Sequence, residues 1–359
     1  MRFLMGFEQR LTRCQTAISQ LSCDALLITN LTNIFYLTGF SGTNATVLIS
    51  PKHRIFVTDS RYALIAKNTV REFDIIISRE PLAAILKIIR DDALMAIGFE
   101  TDISYHMYKH MVEVFEDYSL IEAPSVVEKL RMIKDATELA IIRQACRISD
   151  QAFLDVLDFI KPDRTTELQV ANFLDFRMRE LGATSPSFDF IVASGHRSAM
   201  PHGVASQKTI QSGETLTLDF GCYYQHYVSD MTRTIHIGHV TDEERGIYDI
   251  VLKSNQAIID NVKSGMKRCD YDYLARQVIE NSGYGNHFTH GIGHGMGLDV
   301  HEIPYFGKSE GVIASGMVVT DEPGIYLDNK YGVRIEDDLL ITETGCEVLT
   351  SAPKELIVL

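Results

Sequence analysis

Apolar residues in the first third of the chain follow two rhythms. Over residues 9–21 they recur at helical spacing. Residues 25–29, 47–50, 54–59, 75–78 and 96–99 are short apolar runs bounded by turn residues, as in buried strands. Further helices are expected from about Arg61 and over residues 82–89. This alternation predicts a small three-layer α/β domain, and it contains no phosphate-binding glycine loop.

Beyond Pro124 the pattern changes. Asp135 and Glu138 form a capping box ahead of a long amphipathic run, residues 137–160, ended by Pro162. A second helix is expected over residues 166–181, stopped by Gly182, and a strand over residues 188–194. Thr241 and Glu244 start another helix that runs towards Gly265, and a shorter one covers residues 271–281. The boundary is placed near Pro124, giving domains 1–123 and 124–359.

Two stretches break the apolar pattern with acids. Residues 212–233 read SGETLTLDFGCYYQHYVSDMTR, and 103 positions later SGMVVTDEPGIY repeats Ser212, Gly213, Asp219, Gly221 and Tyr223 as Ser315, Gly316, Glu322, Gly324 and Tyr326. Each copy has a second acid, Asp230 eleven residues after Asp219 and Glu336 fourteen after Glu322. Two related hairpins with two carboxylates each are implied, each preceded by helices. The expected fold is therefore α+β, a duplicated unit with pseudo-twofold symmetry and the four acids where its halves meet. Four unpaired carboxylates in apolar strands would cost several kcal/mol each, so cations must accompany them. The alternative, an exposed acidic face, fits poorly with the flanks LTL, VVT and RTIHI.

Composition narrows the function classes. At 359 residues two domains are expected. A formal net charge of −14 argues against nucleic acid or an anionic membrane as a partner. The six cysteines are scattered without a CxxC, so neither a disulfide framework nor a zinc ribbon is indicated. MRFLMGFEQR lacks an apolar leader core, and no run approaches the roughly 20 residues of a membrane span. A cytoplasmic protein is expected, in which the sequons at Asn30 and Asn44 carry no meaning.

Between the hairpins lies HGIGHGMGLDVHE, with His290, His294 and His301. HExxH is absent and its glycines do not match GxGxxG; they would instead let backbones approach closely. Four carboxylates and one imidazole exceed a tetrahedral zinc site and offer too little nitrogen or sulfur for a soft metal. They suit two hard divalent ions that make hydroxide available near neutrality, and so a metallohydrolase. Such a ligand set leans towards Mn2+, with Co2+ able to substitute.

The motifs PHG, LDFG, SDMTRT, HGIGHGMGLDVHE, EPGIY and GVRIEDD, in this order from Pro201 onward, are similar to those of the pita-bread metallopeptidases, most closely the short bacterial Xaa-Pro aminopeptidases. YLTGFSG and TDSRY extend the resemblance to the N-terminal domain of the creatinase/prolidase kind. The resemblance implies that Asp219, Asp230, His294, Glu322 and Glu336 are the metal ligands. Asp230 and Glu336 would bridge both ions, Asp219 would bind one, and His294 with Glu322 the other. It further implies attack by a metal-bridging hydroxide, with Glu322 passing a proton to the leaving nitrogen and His202 and His301 donating hydrogen bonds to the scissile carbonyl. His202, His290 and His301 would touch the substrate or the ligands; alternatively each holds its own loop. Arg334 shares a strand face with Glu336, so it could contact substrate or only orient a ligand.

The implied activity is release of the N-terminal residue from Xaa-Pro peptides, with proline-containing peptides as substrates and a homodimer as the assembly. The alternative is an Xaa-Pro dipeptidase with the same site, whose proline carboxylate Arg197 could capture. A third reading is a non-catalytic binding module, but its relatives lose ligands and all five are present here. With no tryptophan in the chain, an aromatic wall at the cleft must come from Tyr or Phe. Arg61 and Tyr62 either cap a partner subunit's site or pin their own helix.

Overall fold

A computed structural model describes residues 6–307 and 310–359; the first five residues of the stretch read for a leader lie outside the described residues. The chain divides into two compact units, up to Arg131 and from Met132 onward.

In the first unit a six-stranded sheet has β1 (Ala25–Ile28), β2 (Thr46–Ile49), β3 (Arg54–Thr58), β4 (Asp74–Ile77), β5 (Ala96–Phe99) and β6 (Ser119–Glu122) in the order β4-β3-β2-β1-β5-β6. β1, β2 and β3 pair antiparallel and the outer strands parallel. All residues of β1 and β2 are buried, which is why ALLI and TVLI show no polar alternation. The helices are α1 (Phe7–Ile18), α2 (Leu31–Thr38), α3 (Ala63–Thr69), α4 (Pro81–Asp91), α5 (Tyr105–Val114) and α6 (Val126–Arg131).

α2, α5 and β6 have no counterpart in the sequence expectations, although two caps signal them. Asn30, dismissed as a sequon, accepts hydrogen bonds from the Thr32 and Asn33 amides, and Ser104 accepts one from the Met107 amide. α6 lies beyond Pro124 yet belongs to the first unit. Asn33 there donates to Glu128 at 2.5 Å and accepts from Arg131 at 2.9 Å, while the Tyr36 hydroxyl donates to the Leu130 carbonyl. Arg61 forms a two-point pair with Asp59 and Tyr62 bonds Thr43, so both are engaged within their own unit.

The second unit is the duplicated one. α7 (Ala136–Phe159) and α8 (Glu167–Glu180) precede the first acidic ribbon, and α9 (Asp242–Asn261) and α10 (Arg268–Asn281) precede the second. Both expected capping boxes are present, Asp135 with Glu138 and Thr241 with Glu244. The first half contributes β7 (Ser185–Pro186), β8 (Ile191–Ser194), β9 (Thr215–Phe220), β10 (Cys222–Tyr224), β11 (Tyr227–Val228) and β12 (Met231–His236). The second contributes β13 (His294–Gly295), β14 (Glu302–Tyr305), β15 (Val318–Asp321), β16 (Gly324–Leu327), β17 (Tyr331–Arg334), β18 (Asp337–Ile341) and β19 (Cys346–Val348).

Each ribbon is one long antiparallel hairpin, β9-β10-β11-β12 and then β15-β16-β17-β18. Each half packs its own core. Phe153, Val170, Leu174, Leu218 and Ile235 meet in the first, and Val251, Ile279, Val319, Val333 and Leu339 in the second. Among the described residues no helix is long and apolar enough to cross a membrane.

The register departs from the repeat in one respect. Asp219 faces Thr232 in the first ribbon, whereas Glu322 and Glu336 face each other one position beyond the Asp321–Asp337 rung of the second. Thr232 thus holds the place in one ribbon that Glu336 holds in the other. Asp230, opposite Gly221, corresponds to Arg334, opposite Gly324. A two-residue displacement keeps Asp230 on the same face, so the acids still converge.

Candidate metal centre

The five residues of the expected ligand set line one cavity of about 530 Å³ in the second unit, together with His202, His290, His301 and Arg334. Asp219 is on β9; Asp230 and Glu336 immediately precede β12 and β18; Glu322 immediately follows β15; His294 opens β13. Two glycines allow the backbone to close around them. A Cβ on Gly221 would sit 1.9 Å from the Ser229 carbonyl oxygen, and one on Gly293 would sit 2.3 Å from that of Thr320.

One ligand atom each from Asp230, His294 and Glu336 lies within 4.8 Å of the others. His294 Nε2 is 3.8 Å from Asp230 Oδ2 and 3.5 Å from Glu322 Oε1. His294 Nδ1 lies 3.1 Å from the Gly295 carbonyl, which can only accept, so Nδ1 carries the proton and Nε2 presents its lone pair to the acids. Asp219 Oδ1 and Asp230 Oδ1 are buried without a hydrogen-bond partner. Orphaned carboxylate oxygens on two acids that line the same cavity fit hard cations and are costly otherwise.

Burial is the main cause of the electrostatic strain. It holds Asp230 and Glu336 well above the usual carboxylate range, and the neighbouring acids add to it, Glu336 first for Asp230 and Glu322 first for Glu336. Burial pushes Glu322 up to about 8 and also raises Asp219, against the pull of the Arg334 guanidinium in both cases. Burial, then His301, brings His294 down to about 4. A divalent cation would reverse the balance for the acids by favouring their ionised forms.

Surrounding side chains fix the acids. Thr232 Oγ1 donates to Glu336 Oε2 at 2.6 Å and accepts from Arg334 Nε at 3.0 Å. Arg334 also donates to Asp219 Oδ2 at 2.5 Å, the Tyr326 hydroxyl at 2.8 Å and the Pro201 carbonyl at 3.1 Å. Asp338 accepts the Asp230 amide at 3.0 Å. Thr232 and Asp338 were not among the expected site residues. The two-residue alternation from Asp230 to Thr232 and from Glu336 to Asp338 is the signal that reveals them.

Of the expected second tier, His301 packs edge-on against His294 with ring centroids 4.2 Å apart, and His202 lines the cavity on an exposed loop. His290 has both nitrogens occupied: Nδ1 lies 2.8 Å from the Gly291 carbonyl, and Nε2 2.8 Å from the Tyr326 hydroxyl. It holds its loop and Tyr326 while its side of the loop lines the cavity. Arg334 likewise orients Asp219. Arg197 is not in the cavity: it donates to the buried Glu167 at 3.0 Å and to the Val204 carbonyl at 2.6 Å. The apolar wall comes from Phe188, Ile191, Tyr305 and Phe306, aromatic without tryptophan as the composition requires.

Comparisons with known proteins identify the family. Residues 140–343 match the model of metallopeptidase family M24, and residues 10–133 that of the creatinase/prolidase N-terminal domain. The chain is 35% identical to a Xaa-Pro dipeptidase of Pyrococcus furiosus (strain ATCC 43587 / DSM 3638 / JCM 8422 / Vc1), over 98% of this chain and 100% of that one. The solved structure of a Xaa-Pro dipeptidase from Bacillus anthracis superposes with a TM-score of 0.96 at 42% identity, covering 99% and 100% of the two chains. An X-Pro aminopeptidase structure from Thermotoga maritima MSB8 superposes at 0.88 with 36% identity, covering 96% and 100%. Two acidic ribbons around one imidazole, in a fold shared end to end with these enzymes, give the conclusion that the chain belongs to metallopeptidase family M24, hydrolases that work with divalent metal ions.

Proposed function

We propose that the chain is an Xaa-Pro dipeptidase, cleaving the imide bond before proline with two divalent cations, Mn2+ by preference and Co2+ as a substitute, held by Asp219, Asp230, His294, Glu322 and Glu336. The full-length likeness to proteins named Xaa-Pro dipeptidase carries this reading. It favours the alternative drawn from the sequence over the aminopeptidase expected first.

Bound in this cavity, the cations would polarise the scissile carbonyl and make hydroxide available near neutrality. Asp230 and Glu336, from opposite ribbons, would hold the cations together with Asp219, His294 and Glu322, all five lining the one cavity. Arg334, fixed by Thr232 and Tyr326, keeps the Asp219 carboxylate in place. Glu322 carries the proton from the attacking water to the leaving imide nitrogen. His202 and His301, both lining the cavity, donate to the carbonyl oxygen as negative charge develops on it.

An aminopeptidase is the second reading. It is supported by the Thermotoga maritima structure and by the cations of the wall: among the described residues lining the cavity, Arg334 is the sole arginine or lysine, and it is bonded to Asp219. The deciding measurement compares cleavage of Xaa-Pro with that of Xaa-Pro-Yaa in the presence of Mn2+. The dipeptide is expected to be cut faster; faster release of Xaa from the tripeptide refutes the proposal in favour of the aminopeptidase.

A further inference from the structure

Thr232 and Arg233 are neighbours on β12 whose side chains leave the ribbon on opposite sides. Thr232 reaches the Glu336 carboxylate, whereas Arg233 is 1% exposed and lines no part of the cavity. The guanidinium of Arg233 nevertheless donates to the Glu336 carbonyl at 2.5 Å, the Thr232 carbonyl at 2.9 Å and Asp337 Oδ1 at 2.8 Å. It also donates to the Ala352 carbonyl at 2.9 Å. Five donors in a rigid plane thus join the first ribbon, the second ribbon and the segment after β19.

Charge alone does not explain this choice. Asp337 already has a cation in Lys354, 2.7 Å away, and accepts from Thr350 at 2.8 Å. A fold needing only a filled interior at this point would do as well with an apolar side chain. A planar fork that bonds a main-chain carbonyl and the next residue's carboxylate together fixes the direction of the chain between them. That stretch of chain carries the Glu336 side chain, and the Glu336 amide is tied from the same strand by the Thr232 carbonyl at 3.1 Å.

We propose that Arg233 is a positioning residue for the metal centre: from behind the ribbon it locks the Glu336 carbonyl and Asp337, and so sets where the Glu336 carboxylate meets a divalent cation. The inference rests on the metal-centre reading given under Proposed function. It adds a back-side determinant of metal affinity that touches neither cation nor substrate.

The test is a calorimetric titration of the chelator-stripped full chain with Mn2+ alone, for wild type, R233K and K354M, with folding checked by circular dichroism. Lysine keeps the charge but not the fork. R233K is expected to fold and to bind Mn2+ about 10–100-fold more weakly, as for other lost outer partners of a metal ligand. K354M removes the second cation from Asp337 without touching Glu336; it should melt earlier while binding Mn2+ as wild type does. Wild-type affinity in R233K, or equal weakening in R233K and K354M, overturns the proposal. If R233K does not fold, R233Q is measured against the same criterion, and failure of both to fold with Mn2+ present assigns Arg233 to the fold alone and overturns it. A wild-type chain that takes up no Mn2+ removes the metal-centre reading itself, a distinguishable result.

Discussion

Thr232→Val is the sharpest test of how the ribbons hold the acids. Thr232 is fully buried, and its hydroxyl is the single atom that both donates to Glu336 Oε2, at 2.6 Å, and accepts from Arg334 Nε, at 3.0 Å. Valine keeps the shape of the side chain and removes only that oxygen. A hydrogen bond to a charged group contributes about 1.5–3 kcal/mol, and leaving a buried donor unpaired adds its desolvation. The two bonds share an oxygen and are not additive, so a loss of about 3 kcal/mol is expected. For a catalytic unit of this size that lowers the melting temperature by roughly 6–12 °C. Glu336 also loses the donor that orients it towards a cation, which weakens Mn2+ binding about 10–100-fold. Scanning calorimetry of the metal-free and Mn2+-loaded chain, with a Mn2+ titration, reads both effects. A variant that melts and binds Mn2+ as wild type does would refute the bonding scheme around Glu336.

Two further outcomes follow from the same geometry. Prolonged chelation should abolish peptide hydrolysis and lower the melting temperature, because Asp219 and Asp230 keep buried oxygens without hydrogen-bond partners; saturation at about 100 times the dissociation constant restores about 2.7 kcal/mol. Equal melting curves with and without metal would contradict it. Arg197→Met should lower stability by leaving the buried Glu167 without its cation, yet leave the ratio of dipeptide to tripeptide cleavage unchanged, since Arg197 lies outside the cavity. A ratio that moves would return Arg197 to substrate recognition.

Much of this protein was legible in the order of its residues, because element type and the face a side chain takes depend on near neighbours. Apolar runs marked β1, β2, β3 and β5, and the capping boxes at Asp135 and Thr241 marked α7 and α9. The return of Asp219 as Glu322 after 103 residues exposed the duplication and put four acids on inward faces. Short elements were harder: α2 and α5 are announced by one cap each, Asn30 and Ser104, and α6 is held by Asn33, nearly a hundred positions upstream.

Tertiary structure alone decided which rungs meet. Pairing of distant strands sets Glu322 opposite Glu336 but Asp219 opposite Thr232, a two-residue offset that periodicity cannot distinguish because alternate residues share a face. The same long-range packing committed Arg197 to Glu167 and brought Arg233 and Lys354 together on Asp337 behind the acids. Local chemistry determined that a cluster of acids would form; the register between ribbons determined which groups hold each acid in place.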